Sequence, residues 1–284
     1  MRDNEDRLAA LVSADAPVSQ IPIQTTQNTT LNFVSPTEFV ELPSKGEFYP
    51  AGHPLCGVDR VEIKFMTAKE EDLLTSRSLI KKGVAIDRML ESLLVNKSIK
   101  VDSLLLGDKN ALVIASRISG YGTSYKTSIS CPNCGVSAKY DFDLQKLTHH
   151  RCETMEDLGV TKTANNTFTF SLPRTKALVE VGLLCGKDEL EIAELIDKKK
   201  KLNLPEESST TQMKSYIVSV NGDKNKAVIK QFVDNLPALD ARQMRLIYRE
   251  IVPNIDMKQN FICSSCSFEQ DIEVPFTVDF FWPK

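Results

Sequence analysis

"SISCPNCGVSAKY" at residues 128–140 carries two cysteines two residues apart, too few to hold a metal ion alone. A second pair with the same spacing lies in "NFICSSCSFEQDIEVPF" at residues 260–276. Cys131, Cys134, Cys263 and Cys266 together match the ligand set of a tetrahedral structural zinc site. Aligning the two pairs also aligns their flanks: Ile129 falls on Phe261, Tyr140 on Ile272, Phe142 on Val274 and Leu144 on Phe276. Apolar residues alternate after both knuckles, which is strand patterning behind a tight cysteine turn, the shape of a zinc-ribbon hairpin.

The correspondence runs upstream at the same offset, because Asp108 precedes Cys131 by the distance that Asp240 precedes Cys263. Asp108 is expected to N-cap a helix, and Asp240 to stand just before a second one. The first carries Leu112, Ala115 and Ile118 and ends at Gly120; the second carries Met244, Ile247 and Ile251 and stops before Pro253. Further back, "VEIKFMTAKEEDLL" (61–74) resembles "VEVGLLCGKDELEI" (179–192). The expected fold is therefore α+β, with two similar strand-helix-hairpin halves that arose by internal duplication. Packed about a pseudo-twofold axis, the halves bring the four cysteines to one zinc-ribbon-like site, and an extended arm precedes them. The domain reading is an arm over 1–45, a first half over 46–150 and a second over 151–284.

Other uses of the cysteines stay open at this point. The pairs could lie apart, each reduced or closed locally. A thioredoxin-type motif needs its CxxC at the start of a helix after a strand, whereas both pairs here sit between strands. Catalytic zinc keeps a coordination position for water, which four thiolates do not leave.

Composition bounds the rest. The 284 residues are 42% hydrophobic and 26% charged, as in a soluble globular protein. The net charge of −3 and a pI near 5.8 argue against a polyanion-binding surface over the whole molecule. No run approaches the roughly 18 apolar residues that span a bilayer, and the charged N-terminus lacks a signal-peptide core, so folding is expected in the cytosol. Seven cysteines make an odd count, which speaks against a disulfide framework there. Cys56, Cys152 and Cys185 are expected to be small buried residues.

Residues 17–45 are rich in Thr, Ser, Asn, Gln and Pro without helical period and read as an extended arm, either docked on a neighbour or flexible. Val61, Ile63 and Phe65 alternate as a strand, and Thr67 with Glu70 forms a capping box that opens a helix. Ile86, Met89, Leu90, Leu93 and Leu94 make the inward stripe of a second helix. Phe168, Phe170 and Leu172, then Leu178 to Val181, suggest a hairpin leading into a helix near Lys187. "DKKKKLNLPEESSTTQ" (197–212) reads as a solvated helix end and a loop; its lysines have no interleaved aromatics for nucleic-acid stacking. His53, His149 and His150 lie in no HExxH context, and phosphate loops and GxSxG elbows are missing, so no residue is given a catalytic role and the chain reads as a non-enzyme.

"ELPSKGEFYP" before the first strand, "FMTAKEEDLL" at its end, the CxxC after a helix and the terminal "VPFTVDFFWPK" together resemble the baseplate hub-subunit family of T-even-like contractile-tailed bacteriophages. The likeness covers roughly residues 41–145 and the C-terminal segment. It implies a late virion protein of the tail baseplate, a structural subunit or assembly factor of the hub, without enzymatic activity. Its implied partners are other tail and baseplate proteins, met during assembly in the host cytoplasm. Zinc rests on the spacing and not on the resemblance. Phe280, Phe281 and Trp282 could anchor such an interface or fold back over the ribbon. The competing class is a zinc-ribbon nucleic-acid or transcription module. It needs basic flanks, whereas Asp141, Asp143, Glu269, Asp271 and Glu273 surround the knuckles.

Overall fold

The computed structural model describes residues 35–202, 208–275 and 280–281. Period-2 burial of Val61 and Ile63 drives the first hairpin, in which β1 (Thr37–Glu41) pairs antiparallel with β2 (Arg60–Lys64). The chain between them is core: Leu42, Ser44, Phe48, Tyr49 and Leu55 are all buried. Gly46 makes this loop possible, since it has φ +72° and a Cβ there would meet the Val58 backbone at 2.4 Å. Three helices follow, α1 (Ala68–Thr75), α2 (Arg77–Lys81) and α3 (Ala85–Leu93), then the longer α4 (Leu106–Tyr121). The Glu70 carboxylate accepts from the Thr67 amide at 3.0 Å, as the capping box predicts, and also from Ser92 Oγ at 2.6 Å, which ties α1 to α3.

The first cysteine hairpin is β3 (Ser124–Ser130) with β4 (Ser137–Asp143), and β5 (Thr148–His150) leaves it. A four-stranded antiparallel sheet is then built in the order β6 (Thr161–Lys162), β7 (Phe168–Ser171), β8 (Leu178–Val181) and β9 (Ile217–Val220). Two helices, α5 (Gly186–Lys201) and α6 (Ser208–Tyr216), precede β9 in the chain; α7 (Lys226–Asp234) and α8 (Ala238–Ile251) follow it. The chain continues as β10 (Asn254–Asp256), which pairs with β5, and the second cysteine hairpin, β11 (Lys258–Ile262) with β12 (Glu269–Glu273). Among the described residues no helix is long and apolar enough to cross a membrane.

Two apolar clusters carry the fold. One gathers Leu42, Ile63, Met89, Leu90, Leu93, Leu112 and Phe142; the other gathers Phe168, Phe170, Val179, Val181, Met244, Ile247 and Ile251. They meet where the start of α4 packs on the chain after α8. A Cβ on Gly107 would come within 1.9 Å of the Pro253 carbonyl oxygen, so only glycine allows that approach. Beside it the buried Lys109 ammonium reaches Asp87 at 2.5 Å and Glu189 at 2.7 Å, joining α4, α3 and α5.

Several expectations are corrected. Asp108 is not an N-cap and Asp240 does not precede its helix: the caps lie three residues earlier, at Leu105 and Pro237. Both carboxylates instead sit buried in the first helical turn and hold the preceding hairpin loop. Asp108 accepts from the Ser44 amide (2.9 Å), Ser44 Oγ (2.6 Å) and Tyr49 OH (2.8 Å). Asp240 accepts from the amides of Arg174 and Thr175, each at 2.8 Å. The arm does not extend to residue 45, because Thr37–Glu41 is paired and Leu42 and Ser44 are buried; its earlier part, 17–34, lies outside the described residues. Ile86 stands on the exposed side of α3, apart from the buried stripe of Met89, Leu90 and Leu93. Cys56 is exposed and Cys152 and Cys185 are half-buried, so none is the buried residue expected. Residues 208–212 form the start of α6 rather than loop; 203–207, Phe276 and Trp282 lie outside the described residues.

Of the two uses open to the terminal aromatics, Phe280 and Phe281 fold back, at 2% and 3% exposure. The buried Arg117 donates to the Phe280 carbonyl at 2.5 Å and to the carbonyls of Gly122 and Ser124 at 2.8 and 3.0 Å, and Tyr125 meets the Phe280 ring edge-on. Phe281→Ala is expected to lower stability by about 3 kcal/mol through the cavity it leaves, read as a fall in the urea midpoint at constant slope. An unchanged midpoint would show that the terminus is no part of the core.

Candidate metal centre

Both knuckles close with the same backbone turn. In the first, the Cys131 amide donates to the Val136 carbonyl at 3.0 Å and the Gly135 amide to the Cys131 carbonyl at 2.9 Å. In the second, Cys263 N–H reaches the Phe268 carbonyl and Ser267 N–H the Cys263 carbonyl, each at 2.9 Å. The residue just past the second cysteine is left-handed in both, at φ +71° for Gly135 and +55° for Ser267. Glycine takes that conformation freely and serine only at a cost, which the two backbone hydrogen bonds of the second knuckle offset.

All four sulfurs lie within 4.8 Å of one another. The Cys131–Cys266 and Cys134–Cys263 Sγ distances are 3.7 and 3.8 Å. A tetrahedron with Zn–S bonds of about 2.3 Å has sulfur edges of about 3.8 Å, so these two cross-hairpin edges already have the length a zinc ion demands. Cys131 and Cys263 are buried at 2% and 4% exposure, and Cys134 and Cys266 face outward. The four cysteines predicted from spacing are thus brought to one place, and they could hold a metal ion with no coordination position left for water.

The thiols are also electrostatically prepared. The amides of Cys266 and Ser265 aim at the Cys263 sulfur and draw its thiol down to about 6. At Cys134 the Val136 amide favours the thiolate, but burial and hydrogen bonds among the sulfurs outweigh it and push that thiol up to about 11. A divalent cation bound here would displace the thiol protons and take all four sulfurs as ligands.

Behind the sulfurs lies a small apolar cluster of Phe261 with Ile129, Tyr140, Phe268 and Ile272. Tyr140 meets Phe261 with ring centroids 5.1 Å apart and donates to the Asn260 carbonyl at 2.9 Å. Gln259 clasps the Asp143 backbone from the other hairpin, donating to its carbonyl at 2.7 Å and accepting from its amide at 3.3 Å. The sequence pointed to Tyr140 only as a strand residue and did not single out Gln259 or Asn260. Their partners are more than a hundred residues away, so no local pattern marks them.

Asp141, Glu269, Asp271 and Glu273 are exposed on these hairpins and Asp143 is half-buried. The five acids outnumber Lys126, Lys139 and Lys258, the lysines of the four strands. That surface repels phosphate. His149 and His150 lie on β5 away from the thiols, and His150 Nε2 is spent on the Glu250 carbonyl at 2.9 Å.

Compared with known proteins, residues 35–282 match the family model described as T4 bacteriophage base plate protein. No curated protein and no solved structure matches.

Proposed function

The chain belongs to the T4 bacteriophage base plate protein family, a structural protein of the virion tail in contact with other tail proteins, and on that premise we propose a finer role. It is a non-enzymatic subunit or assembly factor of the hub region of a contractile-tail baseplate, built into the tail in the host cytoplasm and acting through protein–protein contacts. Zinc on Cys131, Cys134, Cys263 and Cys266 is its structural staple. The observation that carries this reading is the match itself, which runs through both cysteine hairpins and nearly the whole described body.

The body is read as two halves related by duplication, divided between residues 150 and 151. Supporting this are features that recur in order. Leu42-Pro43 and Leu172-Pro173 each lead into a turn with a left-handed lysine, Lys45 at φ +49° and Lys176 at φ +55°. Glu70 reaches back to the Thr67 amide as Asp188 does to the Cys185 amide. Asp108 and Asp240 are each the third residue of a helix, and each accepts from the backbone of the turn that follows a Leu-Pro pair, at Ser44 and at Arg174 and Thr175. Gly135 and Ser267 occupy the same turn position.

Tagging the chain at native level in phage-producing cells tests the role. Co-purification of tail and baseplate proteins supports it, and retention in finished particles marks a subunit rather than an assembly factor that departs. Recovery of nucleic acid or polymerase instead would overturn it.

A further inference from the structure

A cleft of about 840 Å³ opens among α5, α6, β9 and α7, far in sequence from either knuckle. Its walls carry Lys199, Lys214, Lys224, Lys226 and Lys230 against three acids, Asp188, Glu191 and Asp234, in a chain whose net charge is −3. Asp234 is already taken by Lys214 at 2.5 Å, and Lys214, with Lys230 and Lys199 beyond it, holds that carboxyl below the usual range. Lys224, Lys226 and Lys230 are exposed and make no ion pair among the described residues. Lys226 and Lys230 also stand four residues apart on α7, where like charges destabilise a helix. Asp234 feels the Lys230 charge but is bonded to Lys214, so the chain offsets that repulsion only in part and a docked anion adds to the offset.

The cleft is not lined for nucleic acid. None of its lining residues is aromatic, so bases have no stacking platform, and none is an arginine to fork a phosphate. Leu195, at 48% exposure, and the half-buried Val218 give it an apolar floor among the lysines. Apolar contact flanked by more lysines than acids fits a protein segment whose own charges are mostly negative.

We propose that this cleft docks an acidic segment of a neighbouring tail protein, with carboxylates on Lys224, Lys226 and Lys230 and an apolar side chain on Leu195 and Val218. The inference rests on the reading of the chain as a baseplate component, which supplies the neighbour.

The test places a photo-crosslinking residue at Leu195 of the full chain in phage-producing cells, with a second chain carrying it at Phe39, exposed on β1, as control. Ultraviolet light is expected to join Leu195, and not Phe39, to one peptide of another tail protein in which Asp and Glu exceed Lys and Arg. Charge reversal by K224E, K226E and K230E together is expected to cut that yield at least tenfold while the circular dichroism melt stays that of the parent. High salt is expected to weaken it in the same direction. Crosslinks to nucleic acid, to a second copy of this chain or to a neutral or basic peptide overturn the inference, as does a yield indifferent to charge reversal. If tail proteins co-purify but Leu195 joins to none, the cleft inference fails and the baseplate role stands. If no tail protein co-purifies, both fail.

Discussion

Cys131→Ser is expected to empty the four-thiol site and lower the melting temperature by on the order of 10 °C. A structural zinc contributes about 10–16 kcal/mol of apparent binding free energy in small peptides at neutral pH, comparable with the stability of a whole domain. Losing one of four thiolates forfeits several kcal/mol of that. In a chain of this size each kcal/mol is worth about 2–4 °C. The body should remain folded, because the two apolar clusters and the clasp of Gln259 on Asp143 do not pass through the metal. The loss should appear where the hairpins meet, as faster amide exchange in β3, β4, β11 and β12. Elemental analysis should find about one zinc per wild-type chain and almost none in the variant, and a chelator should reproduce the melting shift in the wild type alone. Cys56→Ser, at an exposed and isolated thiol, serves as control and should stay within about 0.5 kcal/mol of the parent. A wild type that carries no metal and melts with the Cys131 variant would remove zinc from the account.

That site was legible because metal geometry constrains ligands at short range. A CxxC spacing is a property of one turn, and two copies at a common offset need no knowledge of the tertiary fold. The Thr67–Glu70 box was legible for the same reason. What escaped was fixed at long range. β1 reads as arm in the sequence because "TEFVE" hides its register: Glu38 and Val40 turn inward while Phe39 is 67% exposed. A strand whose buried face carries a carboxylate has no readable hydrophobic period. Phe280 and Phe281 were ambiguous because an aromatic pair is as suited to a core as to an interface. Only the buried Arg117, bonded to the Phe280 carbonyl, decides between them.

Asp108→Ala is expected to cost about 3–5 kcal/mol, among the larger single-site losses the molecule can suffer. The carboxylate is fully buried, and its removal strands the Ser44 amide, the Ser44 hydroxyl and the Tyr49 hydroxyl in a cavity that water does not fill readily. Tyr49 OH also accepts from the Leu105 amide at 3.1 Å, so the loop between β1 and β2 and the cap of α4 loosen together. Asp240→Ala strands two amides and is expected to cost less, about 2–3 kcal/mol. Proton linkage separates the two sites further. Burial pushes the Asp108 carboxyl above its ordinary value against the pull of Ser44 and Tyr49. At Asp240 burial is outweighed by the amides of Thr175 and Arg174 and by the Arg174 charge, which hold the carboxyl below it. A carboxyl raised in the folded state contributes stability that is full below its unfolded value, about 3.9, and is lost as pH rises through the folded value. A depressed one contributes stability that is full above that value and is lost as pH falls through the folded one. Urea unfolding of D108N and D240N against the parent should therefore give differences of opposite slope: the Asp108 component fades on the alkaline side of about pH 4 and the Asp240 component on the acid side. A cost below about 1 kcal/mol for Asp108→Ala would mean that the loop holds itself. Equal slopes would mean that the two carboxyls share a chemical setting, which the different donors around them argue against.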